Sequence, residues 1–307
     1  MKLAGTRRVL LAAIAIDLLL GDPQVSWHPV RLIGRALAAL SPASQAGSAR
    51  RQLVGGGTAL GGIMTASAAI TLIASRSAAR VPTLGFVVEA AMLKSTFALR
   101  QLLAETMAVG DALKGGDLND ARLRLRSLVS RETAALDHER CASAAVEAVS
   151  ENLADSLLAP LLFYALAGLP GAVAYRVVNT ADAMYGYHGG DEWRGKVAAR
   201  LDDLVNWVPS RVAALCLVAA SGVHGPGRLR HCLAVMARDG GSTASPNAGW
   251  PMAAMAGAMN CRLEKPGQYV LGAHSQPIRP DQVAPAVAVA GTAALLGCGL
   301  ALLCCRH

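Results

Sequence analysis

The sequence predicts an all-α fold, a polytopic membrane helical bundle with re-entrant or broken helices and further helices outside the membrane. Three observations carry that expectation. Hydrophobic residues make up 53% of the 307 and charged residues only 16%, against roughly a quarter in soluble globular proteins. The runs Gln52 to Ser75 and Gln282 to Cys305 contain no charge, and each exceeds the roughly 20 residues that carry a helix across a bilayer. Gly-Pro breaks interrupt other apolar stretches, where a membrane helix can turn back if its freed backbone meets protein or water.

Taken in order, the chain begins with Lys2, Arg7 and Arg8 before Val9 to Ile16, in the manner of a signal peptide. Asp17 interrupts that core and Gly21-Asp22-Pro23 stands in place of a small-residue cleavage site, so Val9 to Leu20 reads as a retained first helix. Gln52 to Ser75 carries Gly55-Gly56-Gly57 and Gly61-Gly62, which weaken a helix in water but permit close helix contact in lipid. Leu84 to Leu103 holds Glu89, Lys94 and Arg100, each costing a few kcal/mol at the bilayer centre unless paired or snorkelling. That stretch therefore packs inside the bundle or lies at its edge. From about 105 to 152 the charges are mixed around a Gly115-Gly116 turn, which predicts an extramembrane helical segment within a single membrane domain spanning 1–307.

Ser156 to Tyr175 contains Pro160 and a Leu169-Pro170-Gly171 break, and Val212 to Val223 ends in His224-Gly225-Pro226-Gly227. If both were full crossings, Tyr175 to Arg211 would face the opposite side from Glu147 and Glu151. Two re-entrant hairpins remove that conflict and bring every polar segment to the cytoplasmic face. Most basic residues then lie inside, as the positive-inside tendency expects, while Arg7, Arg8, Arg76 and Arg80 count against it.

The formal charge of +8 does not indicate a nucleic-acid partner. Basic residues sit in short segments between apolar runs, with three Phe, four Trp and five Tyr for stacking, so they read as loops that orient spans. Seven cysteines form no Cys-x-x-Cys pair and fall mostly in apolar stretches, the pattern of buried thiols rather than of disulfides or zinc. No Gly-x-Ser-x-Gly, His-Glu-x-x-His or dinucleotide fingerprint appears. Gly190 to Lys196 nearly spells a phosphate loop, but Val197 replaces the Ser or Thr that would hold the metal.

Glu147, Glu151 and Asp155 fall at i, i+4 and i+8, so a regular helix would put all three carboxylates on one face. Such a face is either a solvated acidic stripe or a site for Mg²⁺, which takes carboxylate oxygens and bridges to phosphate. Arg131-Glu132-Thr133 reads as a helix surface or cap. Asn179-Thr180-Ala181-Asp182 with Arg200, Asp202, Asp203 and Asn206 is polar beside apolar spans, so these residues are ion pairs that fix the bundle or ligands for a substrate. His28-Pro29-Val30-Arg31 and Ser245-Pro246-Asn247 stand in turned backbone where an anion could dock, His28 being either structural or catalytic.

The stretches DLLLGDP with HPVRLIGR, SRETAALD, VEAVSENLADSLLAPLLFYALAGLPGAVAYRVVNTADAMYGY, ARLDDLVNWVPSR and SPNAGWPMAAMAGAM occur in that order over nearly the whole chain. Together they resemble the adenosylcobinamide-phosphate synthase family; Gly189 to Lys196 and Gly241 to Ala244 depart from its usual pattern. The resemblance implies an ATP-dependent ligase of cobalamin biosynthesis in the cell inner membrane. Its corrinoid substrate would be cobyric acid, usually as the adenosyl form, and its amine (R)-1-amino-2-propanol phosphate. ATP and Mg²⁺ are the implied co-substrate and metal, and lipid and other late cobalamin-pathway membrane enzymes the implied neighbours. Candidate catalytic residues are His28, Glu132, Glu151, Asp182 and Asp203. Candidate substrate contacts are Asp22, Arg31, Arg131, Asn152, Asn179, Arg200, Asn206, Ser245 and Asn247, and the candidate metal ligands are Glu147, Glu151 and Asp155. A non-catalytic membrane sensor or a corrinoid transporter is the alternative reading.

Overall fold

The structure, a computed structural model, describes residues 4–23, 25–45, 48–185 and 192–305. Its helices in chain order are α1 (Ala4–Leu20), α2 (Pro29–Gln45), α3 (Ala49–Ala78), α4 (Pro82–Lys94), α5 (Leu99–Lys114), α6 (Leu118–Leu125) and α7 (His138–Leu153). A π-helical turn, Ala154–Leu158, leads into α8 (Ala159–Tyr185), α9 (Glu192–Val205), α10 (Trp207–Ser221), α11 (Pro226–Asp239) and α12 (Gly249–Met259). The strands β1 (Leu263–Lys265) and β2 (Tyr269–Leu271) then form an antiparallel hairpin before α13 (Val283–Cys304). The fold is helical as expected, with this small hairpin as an addition that the sequence pattern does not announce.

Three helical runs are long and apolar enough to cross a membrane: Ala49–Ala78, His138–Tyr185 and Pro280–Cys304. A fourth is reached if Trp193–Val205 and Trp207–Ser221 count as one broken span. The first and third contain the two charge-free runs of the sequence. Ile70 and Ile73 on α3 are each 64% exposed and Leu303 on α13 is 75% exposed, an apolar surface that suits lipid.

The chain divides into two compact units, Met1–Ala98 with Ala159–Asn206 and Ala301–His307, and Leu99–Leu158 with Trp207–Leu300. In the first unit α3 packs against α2, α4, α8 and α9. Its core joins Ile33, Leu37, Leu60, Ile63, Val177, Ala181 and Ala198. Gly56 lets α3 approach α9, because a Cβ there would collide with the Arg194 carbonyl, whereas Gly61 and Gly62 face open space. The small-residue expectation thus holds for part of the glycine run.

Helix α8 is not straight. Gly168 takes φ 69° and Pro170 follows it, and the rings of Phe163 and Tyr175 stack with centroids 5.3 Å apart. Twelve residues of straight helix would separate them by about 18 Å, so the chain folds back on itself as a helical hairpin at the predicted break.

In the second unit α12 is buried over Pro251 to Ala258 and packs against α7, α10 and α11. Asn260 ends it in the left-handed conformation at φ 49°. The break after α10 lies where the sequence put it, with Gly225 at φ 112° and Pro226 starting α11, the order expected when Gly turns the chain and Pro pre-sets the next helix.

Leu84 to Leu103, expected inside the bundle or at its edge, is divided between two helices, for α4 ends at Lys94 and α5 starts at Leu99. The hydroxyls of Ser95 and Thr96 donate to the carbonyls of Met92 and Leu93 at 2.7 and 2.6 Å, side-chain bonds that compete with helix continuation.

Candidate active site

The first unit gathers the polar residues of four helices and the link before α2. Gly21-Asp22-Pro23 ends α1, and the turn that follows carries His28 to the start of α2, where it is buried. His28 Nε2 lies 3.3 Å from Asp22 Oδ1 without an aligned hydrogen bond. Lys94, at the end of α4 and buried, donates to the same Asp22 oxygen and sits 3.7 Å from Asp17. One ammonium is thus shared between two carboxylates, the arrangement that makes a buried lysine tolerable. Arg176 on α8 is close enough to act on His28 electrostatically, and its Nη1 donates to Asn179 Oδ1 at 3.1 Å.

From Asn179 the cluster continues onto α9. Asp182 and Asp203 are electrostatic neighbours of Asp202. Buried Asn206 donates to Asp202 Oδ2 at 2.9 Å and accepts from the Tyr175 hydroxyl at 2.9 Å. Arg200 Nη1 stands 3.7 Å from Asp203 with most of its side chain in solvent, and Arg31 is exposed on α2. Burial lowers the His28 pKa; Asp22 opposes this, and Lys94 and Arg176 reinforce it. The shift favours the neutral imidazole, the form able to accept a proton.

The second unit holds the remaining nominated residues. Glu147, buried on α7, accepts from Arg131 Nη2 at 2.9 Å, from Ser143 Oγ at 2.5 Å and from the Tyr269 hydroxyl at 2.8 Å. Ser143 Oγ in turn accepts from the Glu264 amide of β1 at 2.9 Å, which ties the hairpin to α7. Burial together with the Glu147 carboxylate drives the Tyr269 hydroxyl pKa upward, so it remains a donor. Glu132 accepts from the amides of Thr133 and Ala134 at 3.0 and 3.2 Å, the turn-capping role that was one of its two readings. Asn152 donates to the Ala148 carbonyl and accepts from Ser156, each at 3.0 Å.

Glu147, Glu151 and Asp155 do not form an assembled metal cluster. Both oxygens of Glu147 are engaged, and Asp155 lies in the π turn Ala154–Leu158 rather than in regular helix. Among the described residues no three His, Cys, Asp or Glu side chains group as a metal site. The near-phosphate loop fares similarly. Its first residues lie outside the described residues, and Gly195 and Lys196 belong to a helix that begins at Glu192.

Ser245 Oγ accepts from the amides of Asn247 and Ala248 at 3.2 and 3.3 Å, shaping the turn into α12. Asn247 Oδ1 accepts from Arg211 at 2.6 Å, and that guanidinium sits 4.9 Å from the rings of both Trp207 and Trp250. Sequence reasoning missed Lys94, Arg176, Arg211 and Tyr269 as members of these networks. Lys94 had a signal, an ionisable residue inside an apolar stretch. Tyr269 had none, since its partner Glu147 is 122 residues away.

The family model described as CobD/Cbib protein matches residues 10–295. A cobalamin biosynthesis protein CobD of Dehalococcoides mccartyi is 37% identical over 291 residues, covering 90% of this chain and 89% of its own length. A probable cobalamin biosynthesis protein CobD of Methanothermobacter thermautotrophicus is 39% identical over 270 residues, 86% of each chain. A cobalamin biosynthesis protein CobD of Geobacter metallireducens is 38% identical over 301 residues, 94% of this chain and 91% of its own. No solved structure matches. With most of its length matched by the family model and by these relatives, the chain belongs to the CobD/Cbib protein family.

Proposed function

We propose that the protein acts in cobalamin biosynthesis, as the names of its relatives say of them. Its reaction would be the ATP-dependent joining of cobyric acid, usually adenosylated, to (R)-1-amino-2-propanol phosphate through an amide bond. A carboxylate is a poor acceptor for an amine. The direct remedy is transfer of the ATP γ-phosphoryl group to it, releasing ADP; the amine then attacks the acyl phosphate, phosphate leaves, and a base removes the ammonium proton. The observation that carries the reading is the assembly of buried His28 and Lys94 with half-buried Asp22, Arg176 and Asn179 in a chain whose motifs match the family throughout.

Within that scheme His28, held neutral, is the proposed proton acceptor. Arg176 and the exposed Arg31 and Arg200 are proposed to meet phosphate or carboxylate groups. Arg131, nominated as a substrate contact, is engaged with Glu147, so that role is not favoured for it. Mg²⁺ commonly binds through one or two carboxylates plus substrate phosphates rather than a protein cage. Glu151 and Asp155, or Asp182 and Asp203, suit that mode, with the metal arriving on ATP and neutralising its phosphates. The inner membrane, with the reacting side facing the cytoplasm, is the proposed location.

Purified protein in detergent, incubated with cobyric acid, aminopropanol phosphate, ATP and Mg²⁺, should yield a product whose mass equals both substrates less one water. Failure of that mass to appear across varied conditions, with ADP release also absent, refutes the ligase reading; corrinoid uptake into vesicles without product would favour a transporter.

A further inference from the structure

In the second unit a cavity of about 600 Å³ opens beside the start of α13, within the size range of small-molecule sites. Its deep wall is apolar. Pro285, Ala288 and Thr292 follow one face of α13 at i, i+3 and i+7, and Ala220 of α10 and Met259 of α12 line the cavity with them. From Gln282 to Thr292 this wall covers ten residue steps, about 15 Å of helix, or half of a hydrocarbon core roughly 30 Å thick.

The mouth is basic. Arg228 at the start of α11 lines it, and its guanidinium has no ion pair or hydrogen bond among the described residues. Arg279 also lines it and pairs with Asp281 at 3.1 Å. Lys114 is near enough to act on Asp281 electrostatically. Two cations thus act on Asp281 and Arg228 lines the same cavity, where the Pro280–Cys304 span and its apolar face begin.

We propose that this cavity binds one anionic phospholipid, with its phosphodiester on Arg228 and an acyl chain along Pro285, Ala288 and Thr292. Charge and depth together select the occupant. A zwitterionic lipid brings its own headgroup cation, which competes with Arg228 for the phosphodiester, into a mouth that already holds Arg279 and Lys114, and a free phosphate gains nothing from the apolar wall. The inference does not depend on the proposed ligase reaction.

The test is native mass spectrometry of the full chain in mild detergent, titrated separately with phosphatidylglycerol, phosphatidylcholine and inorganic phosphate. One phosphatidylglycerol should be retained at concentrations where phosphatidylcholine is not, and inorganic phosphate should not displace it. Arg228→Gln, which breaks no described contact, should weaken retention about fivefold, and Ala288→Phe, which fills the slot, should reduce it further. Equal retention of the two lipids, displacement by inorganic phosphate, or unchanged retention in Arg228→Gln would each overturn the proposal.

Discussion

Glu147 sits on α7 with only 5% of its side chain exposed, and its carboxylate accepts from Arg131, Ser143 and Tyr269. Glu147→Ala leaves the Arg131 guanidinium, itself 16% exposed, without a counter-charge. Breaking a buried pair in this way costs about 3–5 kcal/mol. Each hydroxyl that loses its acceptor adds roughly 1 kcal/mol or more, against a stability of about 5–15 kcal/mol for a whole domain. The variant should therefore lose much of the folded second unit. Glu147→Gln keeps the shape but turns an amide donor toward other donors, and should fall between. The pair Arg131→Met with Glu147→Leu removes both charges and should recover most of the loss. Thermal melting in detergent, followed by tryptophan fluorescence in a Trp27→Phe, Trp193→Phe background that leaves only Trp207 and Trp250, reads this unit directly. If Glu147→Ala melts with the parent protein, or the double variant is no better than the single, the carboxylate is not a structural keystone and its assignment as a metal ligand regains standing.

Glu151→Ala and Asp155→Ala, by contrast, should abolish amide formation at limiting Mg²⁺ while leaving expression and melting intact; near-normal turnover in both would make that face structural. His28 supplies a pH signature. Its folded pKa lies below the unfolded value near 6.5, so on acidification the unfolded chain binds the proton first. Stability linked to His28 is complete above about pH 6.5 and declines as pH falls toward the folded pKa. Melting temperature should drop more steeply below that pH in the parent than in His28→Gln, and parallel curves would contradict the assignment. Sidedness can be read with single cysteines at Asn119, Gly190 and Ser242 in a background lacking native thiols, using an impermeant maleimide on intact cells. All three should be protected. Outside labelling of Gly190→Cys alone would show that the α8 hairpin crosses the membrane after all.

Much of the architecture was legible because it depends on near neighbours in the chain. Charge-free runs longer than a bilayer are helices whatever packs on them, so the cores of α3 and α13 follow from hydropathy alone. Leu169-Pro170-Gly171 and His224-Gly225-Pro226 announced both breaks, since the conformations needed are properties of Gly and Pro themselves. The division of Leu84 to Leu103 between two helices was not legible, because two hydroxyls compete with the helix ladder there, an effect that a hydropathy window cannot register.

The site was legible only in part. Composition and order of motifs nominated Asp22, His28, Asn179, Asp182, Asp203 and Asn206, and the first unit brings them onto four neighbouring elements. The carboxylate spacing at 147, 151 and 155 suggested a common face, but spacing says nothing of partners, and Arg131, Ser143 and Tyr269 occupy Glu147. Partners were beyond reach of the sequence. Lys94 meets Asp22 across 72 residues and Glu147 meets Tyr269 across 122. Such pairings depend on which helix faces approach and at what register, and that is settled by the packing of the whole unit. By itself, then, the sequence determined that this is a helical membrane protein with broken spans and which polar residues deserved attention. Only the tertiary structure decided which of those charges neutralise one another, leaving Glu147 inside a structural network and His28 neutral beside its carboxylate.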